Sequence, residues 1–338
     1  MQTNRPPIQV QWVRGDILES RHIIHLAVVN ADGELLLSAG DPQLLVYARS
    51  SAKPLQALEL IRSGAADSFH LSDEEIAVAC GSHSGSHRHV EAVRSMLWKG
   101  GIAEKMLQCG PQMPIDDEML RELLSEDRAS EPIYNNCSGK HAGMLLTAAH
   151  AGEDLENYLH PTHPIQQRIA ANLCELTSLE PGSLQMGTDG CGAPAAAMTL
   201  DSLARAFARL ALPGRLDTLL RGASERVTQA MQSHPEMIAG EGRFDTLLVA
   251  QAENRLICKS GAEGMFGAAL IREGMGLALK VADGSSRAVP PAALLVLSQM
   301  DILDPNTAQC DEALKAFFSP RLKDTRGQVV GRIVPTFS

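Results

Sequence analysis

No run of this chain is apolar for long enough to span a bilayer. Ala292–Leu297, a representative apolar run, falls far short of the roughly 20 residues that a spanning helix needs. The opening residues, Met1 to Pro7, lack the apolar stretch of a signal peptide. The sequence therefore predicts a cytoplasmic protein with no membrane partner. Clusters of Lys and Arg are also missing, and 30 basic against 40 acidic residues leave a net charge of −10. Phosphate recognition needs clustered cations, so a nucleic-acid partner is excluded. No internal repeat or low-complexity linker divides the chain. The seven cysteines (80, 109, 137, 174, 191, 258 and 310) follow no regular spacing. Without an export signal they read as reduced thiols or metal ligands rather than disulfides.

What remains is ordinary globular composition in 338 residues, 44% hydrophobic and 21% charged. That length suffices for one catalytic unit over residues 1–338, built from subdomains. The spacing predicts strands over Ile23–Asn30 and Glu34–Ser38, joined by a turn at Asp32-Gly33. Further strands are predicted at Phe244–Ala250, Arg255–Lys259 and Gly276–Val281. Between them, Ser86–Trp98, His141–His150, Ile165–Leu176 and Asp201–Arg209 have helical periodicity, and a last helix covers about Pro291–Gln299. The expectation is an α+β fold. N- and C-terminal strands form one sheet flanked by helices, and a mostly helical region over roughly 50–240 is inserted, with the site where the two meet.

The first candidate for chemistry is Ser50-Ser51-Ala52-Lys53-Pro54. Leu55, Leu58 and Ile61 form a helical stripe that Gly64 can stop. Proline is tolerated only in a helix's first turn, so Pro54 sets the start near Ser50 or Ser51. Ser50 then lies at the positive end of the helix dipole. Ser50 and Lys53, three apart, share a face; Ser51 and Lys53 do not. A lysine desolvated in a cleft can take a serine proton. The plainer alternative is a capping serine followed by a surface lysine.

Acyl-serine enzymes combine Ser-x-x-Lys with a second serine motif and a Lys-[Ser/Thr]-Gly on a strand. Lys259-Ser260-Gly261 ends the predicted strand, and Cys80-Gly81-Ser82-His83-Ser84-Gly85 offers Ser82 as the second serine, bonded to Lys259. In the same stretch His83, His87 and His89 lack a carboxylate or cysteine at metal-ligand spacing. Ser84 or Ser86 capping a helix, with His87 and His89 exposed at its start, is the better account. Two further segments stand out: Tyr134-Asn135-Asn136-Cys137-Ser138-Gly139-Lys140-His141, and Gly187-Thr188-Asp189-Gly190-Cys191-Gly192. The glycine-rich loop can present N–H groups to an oxyanion, orient a cysteine, or simply form a compact turn. Cys137 could be a nucleophile with His141 as its base. Alternatively, Cys137 and Cys191 could converge on a metal, with Lys140 or Asp189 completing the set.

Taken together, six motifs in order give the chain a recognisable likeness. They are Arg49-Ser50-Ser51-Ala52-Lys53-Pro54-Leu55-Gln56-Ala57, Cys80 to Gly85, Asn135 to Gly143, Thr162-His163-Pro164-Ile165-Gln166, Gly187 to Pro194, and Lys259-Ser260-Gly261-Ala262-Glu263-Gly264. The chain resembles the L-asparaginase II family, the inducible Rhizobium-type asparaginases, over roughly residues 8–335. That resemblance implies hydrolysis of L-asparagine to L-aspartate and ammonia. It implies a β-lactamase/glutaminase-like fold and a homodimer. It also implies two Ser–Lys tandems, Ser50 with Lys53 and Ser82 with Lys259. A zinc site of Cys137, Lys140 and Cys191 is expected from it, and no organic cofactor. Arg49, His141 and Asp189 match residues that contact substrate or metal-bound water. A glutaminase or broader amidase, or a non-catalytic amino-acid sensor, are the alternatives; a sensor should have lost one of the four Ser/Lys residues, and all four are present.

Overall fold

The computed structural model describes residues 5–337, which divide into two compact units. Its strands are β1 (Ile8–Arg14), β2 (Ile17–Asn30), β3 (Leu35–Ala39), β4 (Leu45–Tyr47), β5 (Gln185–Thr188), β6 (Pro194–Thr199), β7 (Leu256–Gly261), β8 (Met265–Leu270), β9 (Met275–Val281), β10 (Arg321–Lys323) and β11 (Val329–Thr336).

The first unit takes in the chain up to residue 51, residues 198–212 and everything from 247 onward. Its sheet runs β10-β11-β1-β2-β9-β8-β7, with β3 paired to β2. Every pairing in it is antiparallel. The register of β1 on β11, from Gln9 opposite Thr336 to Arg14 opposite Gly331, joins the two ends of the chain. This is the expected α+β arrangement. At the expected hairpin, Asn30 closes the turn: its carbonyl accepts from Gly33 N at 2.9 Å and its side chain from Glu34 N at 2.9 Å. Along β1 the alternate residues Ile8, Val10 and Trp12 point into the core. In β8 every residue is buried, as befits a strand covered on both faces. The helix Leu200–Ala211 packs on β2, β8 and β9, and Val289–Gln299 packs on β1, β8, β9 and β11. Gly276 permits the first of these contacts. A Cβ there would stand 1.8 Å from the Ala204 carbonyl oxygen.

One predicted strand is a helix. Phe244–Gln251 is α-helical, with Phe244, Leu248 and Ala252 buried at intervals of four. A short apolar run does not carry enough periodicity to separate strand from helix, and here the four-residue interval decides.

The second unit, residues 52–197 and 213–246, is largely helical. Its helices include Lys53–Arg62, Asp73–Ala79, His87–Lys99, Ser138–His150, Pro164–Thr177 and Thr218–Ser233. From Ser138 to Ala148, Ser138–His150 is buried on all sides, the mark of a central helix. It approaches the end of Asp73–Ala79 through Gly139, where a Cβ would lie 2.4 Å from the Val78 carbonyl oxygen. That approach sets the residues around Cys137 against the loop that follows Ala79. Within this unit β5 and β6 form an antiparallel hairpin carrying the glycine-rich loop at its tip. Among the described residues no helix is long and apolar enough to cross a membrane.

Candidate active site

The chain enters the Ser-x-x-Lys segment through a strained residue. Arg49 has φ +51°, in the left-handed region, where a non-glycine backbone costs on the order of 1 kcal/mol or more and clusters at functional sites. A 3-10 turn, Arg49–Ala52, then precedes the α-helix proper, which starts at Lys53 with Pro54 in its first turn. Pro54 was expected to place the α-helix start near Ser50 or Ser51; the tighter turn takes up those residues instead. Ser50 lies within that 3-10 turn, and Lys53, three residues on, opens the α-helix. Ser50 is half-buried. Ser51 is buried and its hydroxyl donates to the Ala48 carbonyl at 2.5 Å. A hydroxyl committed to the backbone is a poor nucleophile.

Lys53 is not a surface lysine: it is fully buried. Its Nζ donates to the Gly81 carbonyl at 2.8 Å, to Ser82 Oγ at 2.9 Å and to the Asn136 carbonyl at 3.1 Å. Three oxygen acceptors match the three donors of an ammonium. The Ser82 hydroxyl thus accepts from Lys53. The Ser82 backbone is clamped as well, its N–H donating to the Ile238 carbonyl at 2.7 Å and its carbonyl accepting from Arg243 at 3.3 Å. In the sheet unit, Lys259 lies buried near the end of β7, with Nζ donating to the Ser260 carbonyl at 2.8 Å.

Cys137 caps the central helix Ser138–His150. Its N–H donates to Asn135 Oδ1 at 2.8 Å, and Asn135 is anchored on the carbonyls of Cys109 and Gly110. Cys191, at the hairpin tip, brings its thiol to that of Cys137. A hydrogen bond from Cys191, reinforced by Lys53 and Lys140, holds the Cys137 thiol well below the usual range despite burial. Cys191 is pushed up, first by Cys137 and then by desolvation. The pair thus behaves as one thiolate and one thiol, at a helix N-terminus that favours the anion. Lys140 Nζ donates to Cys191 Sγ at 3.1 Å. Burial lowers the Lys140 pKa, but Cys137, Cys191 and Asp189 outweigh it and hold the amine above its usual range. Asp189 is half-buried in the tip, its carboxylate accepting from Gly190 N at 2.8 Å.

The expected ligands Cys137, Lys140 and Cys191 therefore do come together. Two adjacent sulfurs suit a thiophilic divalent cation, and Lys140 can join them only by losing its proton. Among the described residues no group of three or more His, Cys, Asp and Glu gathers as a metal site. The alternative dyad is not formed. Cys137 pairs with Cys191 and with Asn136 Oδ1 at 3.1 Å, and His141 Nδ1 meets the Tyr158 hydroxyl at 2.6 Å. That hydroxyl accepts from Gln108 N at 3.0 Å, so its proton is directed to Nδ1 and the His141 proton sits on Nε2. Among the described residues, Nε2 is buried and has no hydrogen-bond partner. Desolvation first, then Lys140 and Lys53, hold His141 well below its usual range and keep it neutral. A buried donor without an acceptor is normally satisfied by a bound group.

The histidines near Ser82 depart from expectation. Ser86 caps the helix His87–Lys99 as anticipated, but His89 is buried in a capping box with it; only His87 is exposed, paired with Glu122 at 2.8 Å. Spacing gave no hint of Tyr158, Arg243 or the Asn136 carbonyl, each of which acts through the folded chain.

The L-asparaginase II family model matches residues 10–335, and the chain belongs to that family. It is thus an amidohydrolase. No match was found among curated proteins. Similar solved structures include a putative β-lactamase from Bacteroides dorei (17% identity, 76% of this chain and 84% of that one, TM-score 0.41). A β-lactamase from Mycobacterium bovis shares 14% identity over 83% of this chain and 95% of its own, with TM-score 0.43. Mglu in its native form shares 15% over 84% of this chain, which spans 62% of the Mglu chain, with TM-score 0.44.

Proposed function

We propose that this protein is an L-asparaginase that hydrolyses the side-chain amide of L-asparagine through an acyl-serine on Ser50. The observation that carries the reading is Lys53, a fully buried amine at the head of the helix that follows Ser50, hydrogen-bonded to a second serine. Ser50 Oγ attacks the amide carbon as its proton passes to Lys53 in the neutral form, and Lys53 hands that proton to the amide nitrogen, so that the C–N bond breaks and ammonia leaves. Water then cleaves the ester, its proton passing through Lys53 to Ser50 Oγ as aspartate is released. Ser82, within 2.9 Å of Lys53 Nζ, relays protons, with Lys259 completing a second tandem. His141 Nε2–H is a donor suited to a substrate carbonyl or carboxylate, and Arg49 and Asp189 suit the two charges of an amino acid. Cys137, Cys191 and Lys140 would hold zinc, which as a Lewis acid supplies polarisation of an oxygen. A cytoplasmic homodimer completes the reading.

A second reading has its own support: because Lys53 bonds Ser82, Ser82 could be the nucleophile. Ammonia release from asparagine, compared with glutamine and a β-lactam reporter, tests the substrate. Ser50→Ala should lower kcat by on the order of 10³ or more with the fold unchanged. Near-normal turnover in Ser50→Ala, with loss in Ser82→Ala, would give the role to Ser82. Elemental analysis of protein purified without chelator tests the metal.

A further inference from the structure

The loop that carries Ser82 is joined to the helix that carries Cys137 and Lys140 by one side chain that has no part in the chemistry above. His83 is fully buried. Its Nε2 lies 2.9 Å from Ser138 Oγ, and its Nδ1 accepts from Gly85 N at 3.2 Å. Ser138 Oγ donates its own hydrogen to the Ile133 carbonyl at 2.9 Å. It therefore accepts from His83, and the tautomer is fixed: proton on Nε2, lone pair on Nδ1. His89 stacks on the ring with centroids 5.1 Å apart and planes at 16°, and is itself tied by Nε2 to the Glu236 carbonyl at 3.0 Å. We propose, building on the reading of Ser82 as part of the reaction machinery, that His83 is a positioning residue: its two hydrogen bonds set the Ser82 hydroxyl against Lys53.

The geometry gives this a chemical consequence. A second proton could enter His83 only at Nδ1, where Gly85 N–H already points, so two donors would face each other and the loop would open. The charged and titratable groups around it are His89 on the stacked face, Lys53, and Arg243. Asp116, Arg88 and again Arg243 act on His89. Desolvation first, then this mostly cationic surround, keeps His83 neutral well below the usual histidine range. The latch therefore stays closed at neutral pH and opens as the solution becomes acidic.

Glutamine can place a side-chain N–H where Nε2 stands, keeping the Ser138 bond; asparagine can place an oxygen where Nδ1 stands, keeping the Gly85 bond. Neither can be protonated in this range. For His83→Ala we expect kcat to fall about 10- to 100-fold, as a displaced reacting group would cause, with KM nearly unchanged. His83→Gln should recover part of that loss, and its acid limb, followed from neutral pH downwards, should lie lower than that of the wild type. Amide exchange at Gly85 should quicken at least roughly tenfold in His83→Gln but not in His83→Asn. This exchange readout needs no substrate, so it tests the latch even if asparagine is not turned over. Unchanged Gly85 exchange in both variants, an acid limb identical to wild type, or failure of all three variants to fold would each overturn the proposal.

Discussion

Two buried lysines in the helical unit, Lys53 and Lys140, are both almost inaccessible and yet differ in surroundings. Lys53 donates to neutral oxygens, two carbonyls and the Ser82 hydroxyl, although it also acts on the Cys137 thiol. Lys140 is set among two thiols sharing a negative charge and the Asp189 carboxylate, which hold its proton in place. Neutral acceptors satisfy an amine's donors without opposing the loss of one proton. Anionic neighbours oppose that loss directly. In the proposed mechanism proton exchange falls to Lys53 and charge compensation to Lys140, unless a cation displaces the Lys140 proton.

The largest effect should come from removing the first of these. Lys53→Met keeps much of the volume and removes the amine, and activity should fall by on the order of 10³ or more. The Gly81 and Asn136 carbonyls would lose a partner, so stability should also drop, by about 1–3 kcal/mol per group left unsatisfied. Ammonia release and a denaturant midpoint measured on the same preparation separate the two. Retained activity would break the comparison, because proton exchange would then belong elsewhere.

Much of this contrast was out of reach of the linear sequence. Ser50 could be separated from Ser51 because the argument needs only a three-residue spacing and the placement of Pro54. The hairpin at Asp32-Gly33 and the strand ending at Val281 were legible for the same reason, being set by neighbours along the chain. The pairing of Lys53 with Ser82, 29 residues apart, is not local. It depends on how the Gly81–Ser82 backbone is held by Ile238 and Arg243, which no spacing encodes. His89 was read as exposed because a helix start is usually solvated, whereas here Glu236 and His83 cover it. The helix Phe244–Gln251 was missed because its apolar residues are too few to reveal a period. The motifs are local signals, whereas contacts such as Lys53 with Ser82 are set by tertiary packing.

A smaller effect is expected at the second lysine. In metal-free protein, Lys140→Met removes a cation that helps hold the Cys137 thiol below its usual range. The thiolate should then form only at higher pH, and the midpoint of the alkylation rate against pH should move upward. Activity should fall about 10- to 100-fold, less than for Lys53→Met, since the change alters the electrostatics of the site without removing the proposed base. An unmoved alkylation midpoint would show that Cys191, Lys53 and the helix N-terminus suffice to hold the charge. It would erase the distinction drawn between the two lysines.

The smallest effect should be at Ser51, which adjoins both lysine-bearing chemistry and the strained Arg49 turn. Its hydroxyl donates to the Ala48 carbonyl, but Ser51 N–H also donates there, at 3.2 Å. Ser51→Ala therefore leaves that carbonyl with a partner, and the cost should sit at the low end for a hydrogen bond, roughly 0.5–1 kcal/mol. In a chain of this size that corresponds to a Tm lowered by only about 1–4 °C. Turnover of asparagine should stay within about threefold of wild type, as expected of a buried hydroxyl that takes no part in proton transfer. A loss comparable to Lys53→Met would mean that the buried Ser51–Ala48 bond, and not the amine, governs the reactive geometry. Parallel measurement of kcat and Tm on Ser51→Ala decides this, the expected outcome being a small fall in Tm with kcat nearly unchanged.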